Sequence, residues 1–418
     1  MKKKVLALVL AIVVVAVLCI GLVACNNNNN DDEITLPAYE SIEEVDYSTL
    51  QIPSTFKVGM ICLHDNSSTY DKNFIDAMYD AIDQLGMSRS QLILKTNIDE
   101  SAACTTAATQ LVESGCNVIF ADSFGHEKFL TSVAQANSNV QFCHATGITA
   151  GTTGAPANLH NAFASIYEGR YLAGIAAGMK LNEMIKEGKF TAEQAKIGYV
   201  GAFTYAEVIS GYTSFYLGAK SVCPTVTMDV QFTGSWFDIP GEKTAAETLI
   251  GRGCKLISQH ADSMGAPSAC EEAGVPNVSY NGSTVTSCPD TFVVSSRINW
   301  TPYLKYMIAQ TVKGEAITNN YLGTIKDGSV VLTNLGKNAT AEGTVEKIVE
   351  ARTKLANGTL NVFDTNTFTV GGNKLTTYTF EGTEVVVDGA FKESWVRSAP
   401  YFDVNIDGIT MLNTAYGD

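Results

Sequence analysis

The chain has 418 residues, 45% of them hydrophobic and 17% charged, with 28 basic against 43 acidic side chains and a formal net charge of −15. A chain of this length has room for two lobes with separate cores. Its acidic balance repels nucleic acid and anionic lipid headgroups, which leaves neutral or cationic solutes, or another protein, as partners.

The first residues are Met1-Lys2-Lys3-Lys4, followed by an uncharged apolar run from Val5 to Ala24 and then Cys25. That is the positive, apolar and cleavage order of a signal peptide. A run of about 20 apolar residues also spans a bilayer, but Leu22-Val23-Ala24-Cys25 resembles the bacterial lipobox, in which the cysteine is acylated and becomes the new N-terminus. Residues 1–24 are therefore expected to be removed and Cys25 to carry lipid at the extracytoplasmic face of the membrane, the lipid being the only membrane contact. Five asparagines, Asn26 to Asn30, and a polar stretch up to Ile52 have little to bury, so residues 25–52 read as a disordered tether. Loss of Lys2, Lys3 and Lys4 with the leader takes the net charge from −15 to −18.

From Phe56 onward short β-rich runs alternate with longer amphipathic stretches, the pattern of a mostly parallel sheet covered by helices on both faces. Lys57 to Ile61 predicts a strand, and Asp71 to Leu85 a helix with Phe74, Ala77, Met78, Ala81 and Ile82 at helical spacing. Gln91 to Lys95 is a second strand, Ala102 to Ser114 a helix stopped by Gly115, and Val118 to Phe120 a third strand. The order then returns as Lys196 to Val200, Ala206 to Lys220, Thr227 to Phe232 and Lys243 to Arg252. Gly115-Cys116 and Ala121-Asp122-Ser123-Phe124-Gly125 are echoed by Gly253-Cys254 and Ala261-Asp262-Ser263-Met264-Gly265, at offsets of 138 and 140. Two copies of one α/β unit make a bilobed binder whose strand ends face a shared cleft. Lobe 1 is expected over residues 53–150, completed near 299–325, and lobe 2 over 151–298, completed near 326–360. Residues 361–418 form a β-rich extension with a turn at Val370-Gly371-Gly372-Asn373.

With Cys19 in the leader and Cys25 acylated, eight of the ten cysteines remain, none in C-x-x-C spacing. They read as buried thiols acting as small hydrophobes rather than as disulfides. His64, His126, His144, His160 and His260 are scattered without the usual ligand spacing, so neither metal nor cofactor is expected.

Several short motifs recur in a telling order: Asp71-Lys72-Asn73-Phe74, Glu168-Gly169-Arg170-Tyr171-Leu172-Ala173-Gly174, Gly198-Tyr199-Val200-Gly201, Gly218-Ala219-Lys220, Gly234-Ser235-Trp236-Phe237-Asp238, and the turn from Leu322-Gly323 to Asp327-Gly328-Ser329-Val330. Over roughly residues 55 to 350 this order resembles the basic-membrane-protein family of ABC transporter lipoproteins, of the purine-nucleoside-binding type. The resemblance implies a type I periplasmic-binding-protein-like fold, with two doubly wound parallel-sheet lobes and a hinge of crossover strands. It also implies a monomer that captures a nucleoside between its lobes and delivers it to an ABC permease. In the family a base lies between aromatic rings while an aspartate and a lysine hold the ribose; here the aromatic is Trp236, and those two positions fall on Asn281 and Arg297. Asparagine keeps an acceptor and arginine keeps the charge. Ile75 replaces an asparagine of the family motif.

Trp236, between Gly234 and Asp238, suits a ring standing in a cleft, a lid over the core being the plainer alternative. Phe124 and His64 follow strands and are candidates for the opposite wall. Asp65, Asp122 and Asp262 also follow strands, where a carboxylate accepts from a sugar hydroxyl or caps the next helix. Asp71 reads as a helix cap. The chain has no G-x-S-x-G elbow, no phosphate loop and no G-x-G-x-x-G after its first strand, so a binder is expected and not an enzyme. A sensory or surface-adhesion lipoprotein using the same cleft is the alternative, and a hydrolase built on strand-end acids is a weaker one.

Overall fold

The computed structural model describes residues 32–414 apart from 40, 41 and 43; the expected leader, Cys25 and the asparagine run lie outside the described residues. A short strand β1 (Glu33–Ile34) precedes the body. The first lobe alternates β2 (Val58–Ile61), α1 (Thr69–Gln84), β3 (Leu92–Lys95), α2 (Ala102–Glu113), β4 (Val118–Ala121), α3 (Glu127–Ala136), β5 (Gln141–Ala145) and β6 (Leu159–Ala164). The second continues through α4 (Ile166–Lys186), β7 (Lys196–Gly201), α5 (Ala206–Val222), β8 (Thr227–Phe232), α6 (Ile239–Gly251), β9 (Leu256–His260), α7 (Gly265–Ala273), β10 (Asn277–Tyr280) and β11 (Phe292–Ile298). After α8 (Thr301–Lys313) come β12 (Asn320–Gly323), β13 (Val330–Leu332), β14 (Leu335–Gly336) and α9 (Thr344–Ala356).

The first sheet is parallel throughout, in the order β12-β6-β5-β4-β2-β3. The second runs β13-β11-β10-β9-β7-β8 and ends in a last strand, Ile409–Met411, with only β13 antiparallel to its neighbour. The first-lobe sheet thus continues past residue 150 to take in β6, and β12 returns to it late. The chain crosses between lobes before α4, before α8 and between β12 and β13. This is the bilobed α/β architecture the duplication predicts.

Packing explains the arrangement. Gly174 of α4 lies against the Phe215 carbonyl and Gly218 of α5 against the Tyr171 carbonyl, so a side chain at either position would force the two helices apart. In the first lobe Trp300 stacks on Phe74 at 4.4 Å, and Asn73 Nδ2 donates to the Ile298 carbonyl at 2.7 Å, fastening α1 to a crossover. The eight cysteines from Cys62 to Cys288 are buried free thiols. No helix among the described residues is long and apolar enough to cross a membrane.

Both ends of the described chain are docked. β1 pairs with β14, and Arg352 Nη1 donates to the Pro37 carbonyl at 2.7 Å, so the described part of the expected tether lies on the body. Ile34, Leu36 and Ile52 supply the apolar anchors that the asparagine run lacks. In the C-terminal extension Phe363 stacks on Phe402 and Phe380 on Tyr401, each at 4.2 Å, extending the main hydrophobic core. Asp407 accepts from the amides of Gly371 and Gly372, which fixes the turn foreseen there.

Candidate functional site

The carboxyl ends of parallel strands in the two sheets face one another, the place where open α/β sheets bind ligands. Between them lies a narrow cleft, lined by Leu63, Tyr70, Ser123, Phe124 and Thr146 from the first lobe and Glu207, Trp236, His260 and Asp262 from the second. Phe124, 36% exposed, sets its ring 5.4 Å from Tyr205 across the seam. Trp236 is half-buried and meets Phe203 at 5.0 Å and Tyr205 at 6.0 Å. Each lobe therefore brings an aromatic ring to the same opening.

Local bonding holds the Trp236 loop. Gly234 takes φ 78°, which admits the tight turn after β8, and Ser235 Oγ donates to the Phe237 carbonyl at 3.2 Å. Asp238 then caps α6, accepting from the Gly241 amide at 3.0 Å. The Asp262 amide donates to the Trp236 carbonyl at 2.9 Å, which sets the ring beside the acid.

The second-lobe wall is acidic. Burial, with the Asp71 carboxylate adding to it, pushes the Asp262 carboxyl well above the usual carboxylate range. His260 Nε2 lies 3.4 Å from Glu207 Oε1, and burial together with the nearby Arg170 charge depresses the imidazole to about 4, so it is neutral. Below it the buried Arg170 guanidinium sits 3.4 Å over the Tyr280 ring and donates through Nη1 to the Gln259 carbonyl at 3.0 Å. Two carboxyl groups thus stand on one wall, able to accept from solute hydroxyl or N–H groups, with a cation beneath them.

Of the residues singled out in the sequence, Phe124, Trp236 and Asp262 meet in this cleft. His64 stands at the rim: its ring is 5.2 Å from Phe237 of the other lobe, its amide donates to Asp71 Oδ1 at 2.7 Å, and its Nδ1 lies 3.3 Å from Asp71 Oδ2. Asp65 serves a turn, accepting from the Ser67 amide at 2.9 Å and from Asn97 Nδ2 at 3.2 Å. Asp122 is fully buried beneath the cleft and accepts from the Leu63 amide at 3.1 Å; burial and the neighbouring Asp71 push its carboxyl far up. Asn281 is buried at φ 64°, and its amide donates to the Ser296 carbonyl at 3.0 Å without the side chain lining the cleft. Arg297 lines a different cavity, because Ser296 packs on Gly169 of α4 and the next residue of the strand faces the opposite way. The cap of α1 is Ser68, which accepts from the Asp71 amide, and not Asp71 itself.

Tyr70, Tyr205, Glu207, His260 and Arg170 were not foreseen. A charge inside an otherwise apolar helix stretch was the available signal for Arg170. Donor atoms of Cys62, Asp71 and Asp122 come within 4.8 Å of one another. The Leu63 and His64 amides already occupy an oxygen of each carboxyl group. Burial pushes the Cys62 thiol and the Asp122 carboxyl well up, whereas, despite burial, hydrogen bonds from His64 and Ser68 hold the Asp71 carboxyl below its ordinary value. Cys62 and Asp122 therefore keep their protons in a packed floor around the Asp71 carboxylate.

A family model described as ABC transporter substrate-binding protein, PnrA-like, matches residues 58–366. A purine-binding protein of Brucella abortus is 29% identical over 314 residues, covering 73% of this chain and 83% of that protein. A Haloferax volcanii protein named "Putative ABC transporter glucose-binding protein" is 30% identical over 259 residues, and the match spans 62% of each chain. Among solved structures, an ABC transporter solute-binding protein from Aeropyrum pernix superposes with a TM-score of 0.60 at 17% identity, covering 73% of this chain and 92% of that one. The last of these speaks to the fold alone.

Proposed function

The chain belongs to the PnrA-like family of ABC transporter substrate-binding proteins, and from that premise we propose that its inter-lobe cleft captures a nucleoside for delivery to an ABC permease. The family is one of solute binding and not of catalysis. The observation that carries the nucleoside reading is the pairing of Phe124 from one lobe with Trp236 from the other at a cleft walled by Glu207 and Asp262. A base offers flat faces to such rings, and stacking contributes roughly 1–3 kcal/mol per base. A ribose diol matches the two carboxyl acceptors. The purine-binding relative also aligns over more of both chains than the one named for glucose. A lipid at Cys25 would hold the protein on the extracytoplasmic face.

Calorimetric titration of the purified protein with adenosine, guanosine, inosine, uridine and glucose tests the reading. At least one purine nucleoside binds saturably and glucose does not. Heat from glucose with silence from every nucleoside would leave the family membership in place and remove the nucleoside.

A further inference from the structure

Arg297 and Lys305 line an open cavity outside the nucleoside cleft, between α1, the start of α8 and the segment around Tyr47. Burial lowers the Arg297 guanidinium from its ordinary value, and its Nε is buried without a hydrogen-bond partner. Among the described residues no carboxylate lies within 4.0 Å of the guanidinium and none of its N–H groups donates to an acceptor. Arginine carries five such donors in a fixed fork. Glu44, Asp80 and Asp327 line the same cavity, yet none of them pairs with the guanidinium. Asp76 and Asp80 act on it only through space and their side chains stand exposed on α1. Asp327 Oδ1 is already taken by the amides of Thr324 and Ser329, both at 2.9 Å.

Lys305 is in a similar position. Its Nζ meets the neutral Gln84 Oε1 at 2.9 Å and lies 5.6 Å from the Tyr47 ring, with no carboxylate paired to it among the described residues. Two cationic groups, neither of them paired with a carboxylate of the described residues, therefore open on one space, one of them a fork that matches a planar or tetrahedral oxyanion bidentately. We infer that this cavity is a second binding site, for a small solute bearing a carboxylate or phosphate group, held by Arg297 and Lys305.

The test uses the full chain and two probes, inorganic phosphate and succinate, as sodium salts at matched ionic strength, read by calorimetry and by thermal melting. At least one probe binds wild type saturably, and Arg297→Met weakens it by about ten- to a hundredfold, the range expected for a hydrogen bond to a charged group. A response to phosphate alone identifies a phosphate-bearing solute, and a response to succinate alone a carboxylate. Adenosine titrated into Arg297→Met in parallel reports the other cleft, so failure of the nucleoside reading and failure of this one are separate results. If Arg297→Met does not fold, Lys305→Met takes its place with the same expected loss. Absence of saturable binding of either probe to wild type, or equal affinity in the folded variant, overturns the inference.

Discussion

The carbonyl of Asp262 accepts hydrogen bonds from both the amide and the hydroxyl of Thr69, at 3.1 and 3.2 Å, joining the acidic wall of one lobe to the first residue of α1 in the other. The Phe124–Tyr205 and His64–Phe237 ring contacts close the same seam. Thr69→Val removes the hydroxyl bond and keeps the amide bond. A neutral hydrogen bond contributes about 0.5–1.5 kcal/mol net, so the balance between open and closed lobes should shift toward open by about two- to tenfold. Small-angle scattering of the solute-free variant checks this as a larger radius of gyration. Scattering and solute affinity identical to wild type would show that Thr69 plays no part in closure.

Glu242 lies behind the same wall. Its Oε1 accepts from the amides of Asp238 and Ser263, both at 3.2 Å, while Oε2 is buried without a partner. Burial pushes the carboxyl from 4.5 up to about 7. An acid with a raised folded pKa binds its proton more tightly when folded, so its contribution is full below the unfolded value and is lost as pH climbs to the folded one. Glu242→Gln stands in for the protonated acid. Its stability relative to wild type should therefore rise between about pH 4.5 and pH 7, by on the order of 3 kcal/mol, and stay level outside that window. Paired melting curves across this range measure it, and a difference that does not change with pH refutes the assignment.

Cys25→Ser should leave the precursor unprocessed or release the protein from the membrane, since the thiol is the expected acylation site. Intact-mass measurement of wild type decides it: a mature chain beginning at an acylated Cys25 is expected, and an unmodified N-terminus elsewhere counts against the anchor.

The repeated α/β order was legible because its signals are local. Gly115, at φ 81°, stops α2 where glycine alone is at ease, and the apolar spacing from Phe74 to Ile82 has one helical solution. The two Ala-Asp-Ser-x-Gly turns were legible as a pair, but their divergence was not. Asp122 turns inward because the Leu63 amide of the adjacent strand end reaches it, whereas Asp262 meets the Trp236 loop and faces the cleft. That difference lies in neighbours distant in sequence. Arg297 was misplaced for a related reason: a single step along β11 reverses the face a side chain takes, and sequence did not fix that parity.

Trp236 gives the sharpest test of recognition against packing. The ring is half-buried, touches Phe203 and Tyr205 at the cleft, and lies in a loop held by backbone bonds that a truncation leaves intact. Trp236→Ala should therefore weaken nucleoside binding by about one to two decades, from the loss of roughly 1–3 kcal/mol of stacking, with little change in melting temperature. Phe124→Ala, on the opposite wall and 36% exposed, should behave alike. A tryptophan buried in the core would instead lose about 3–5 kcal/mol of folding stability on truncation. Calorimetry and melting on the same preparations separate the two, with Arg297→Met as a control whose guanidinium opens on the other cavity. A destabilised Trp236→Ala protein that still binds its solute normally would mean that the ring packs the lobe and recognises nothing.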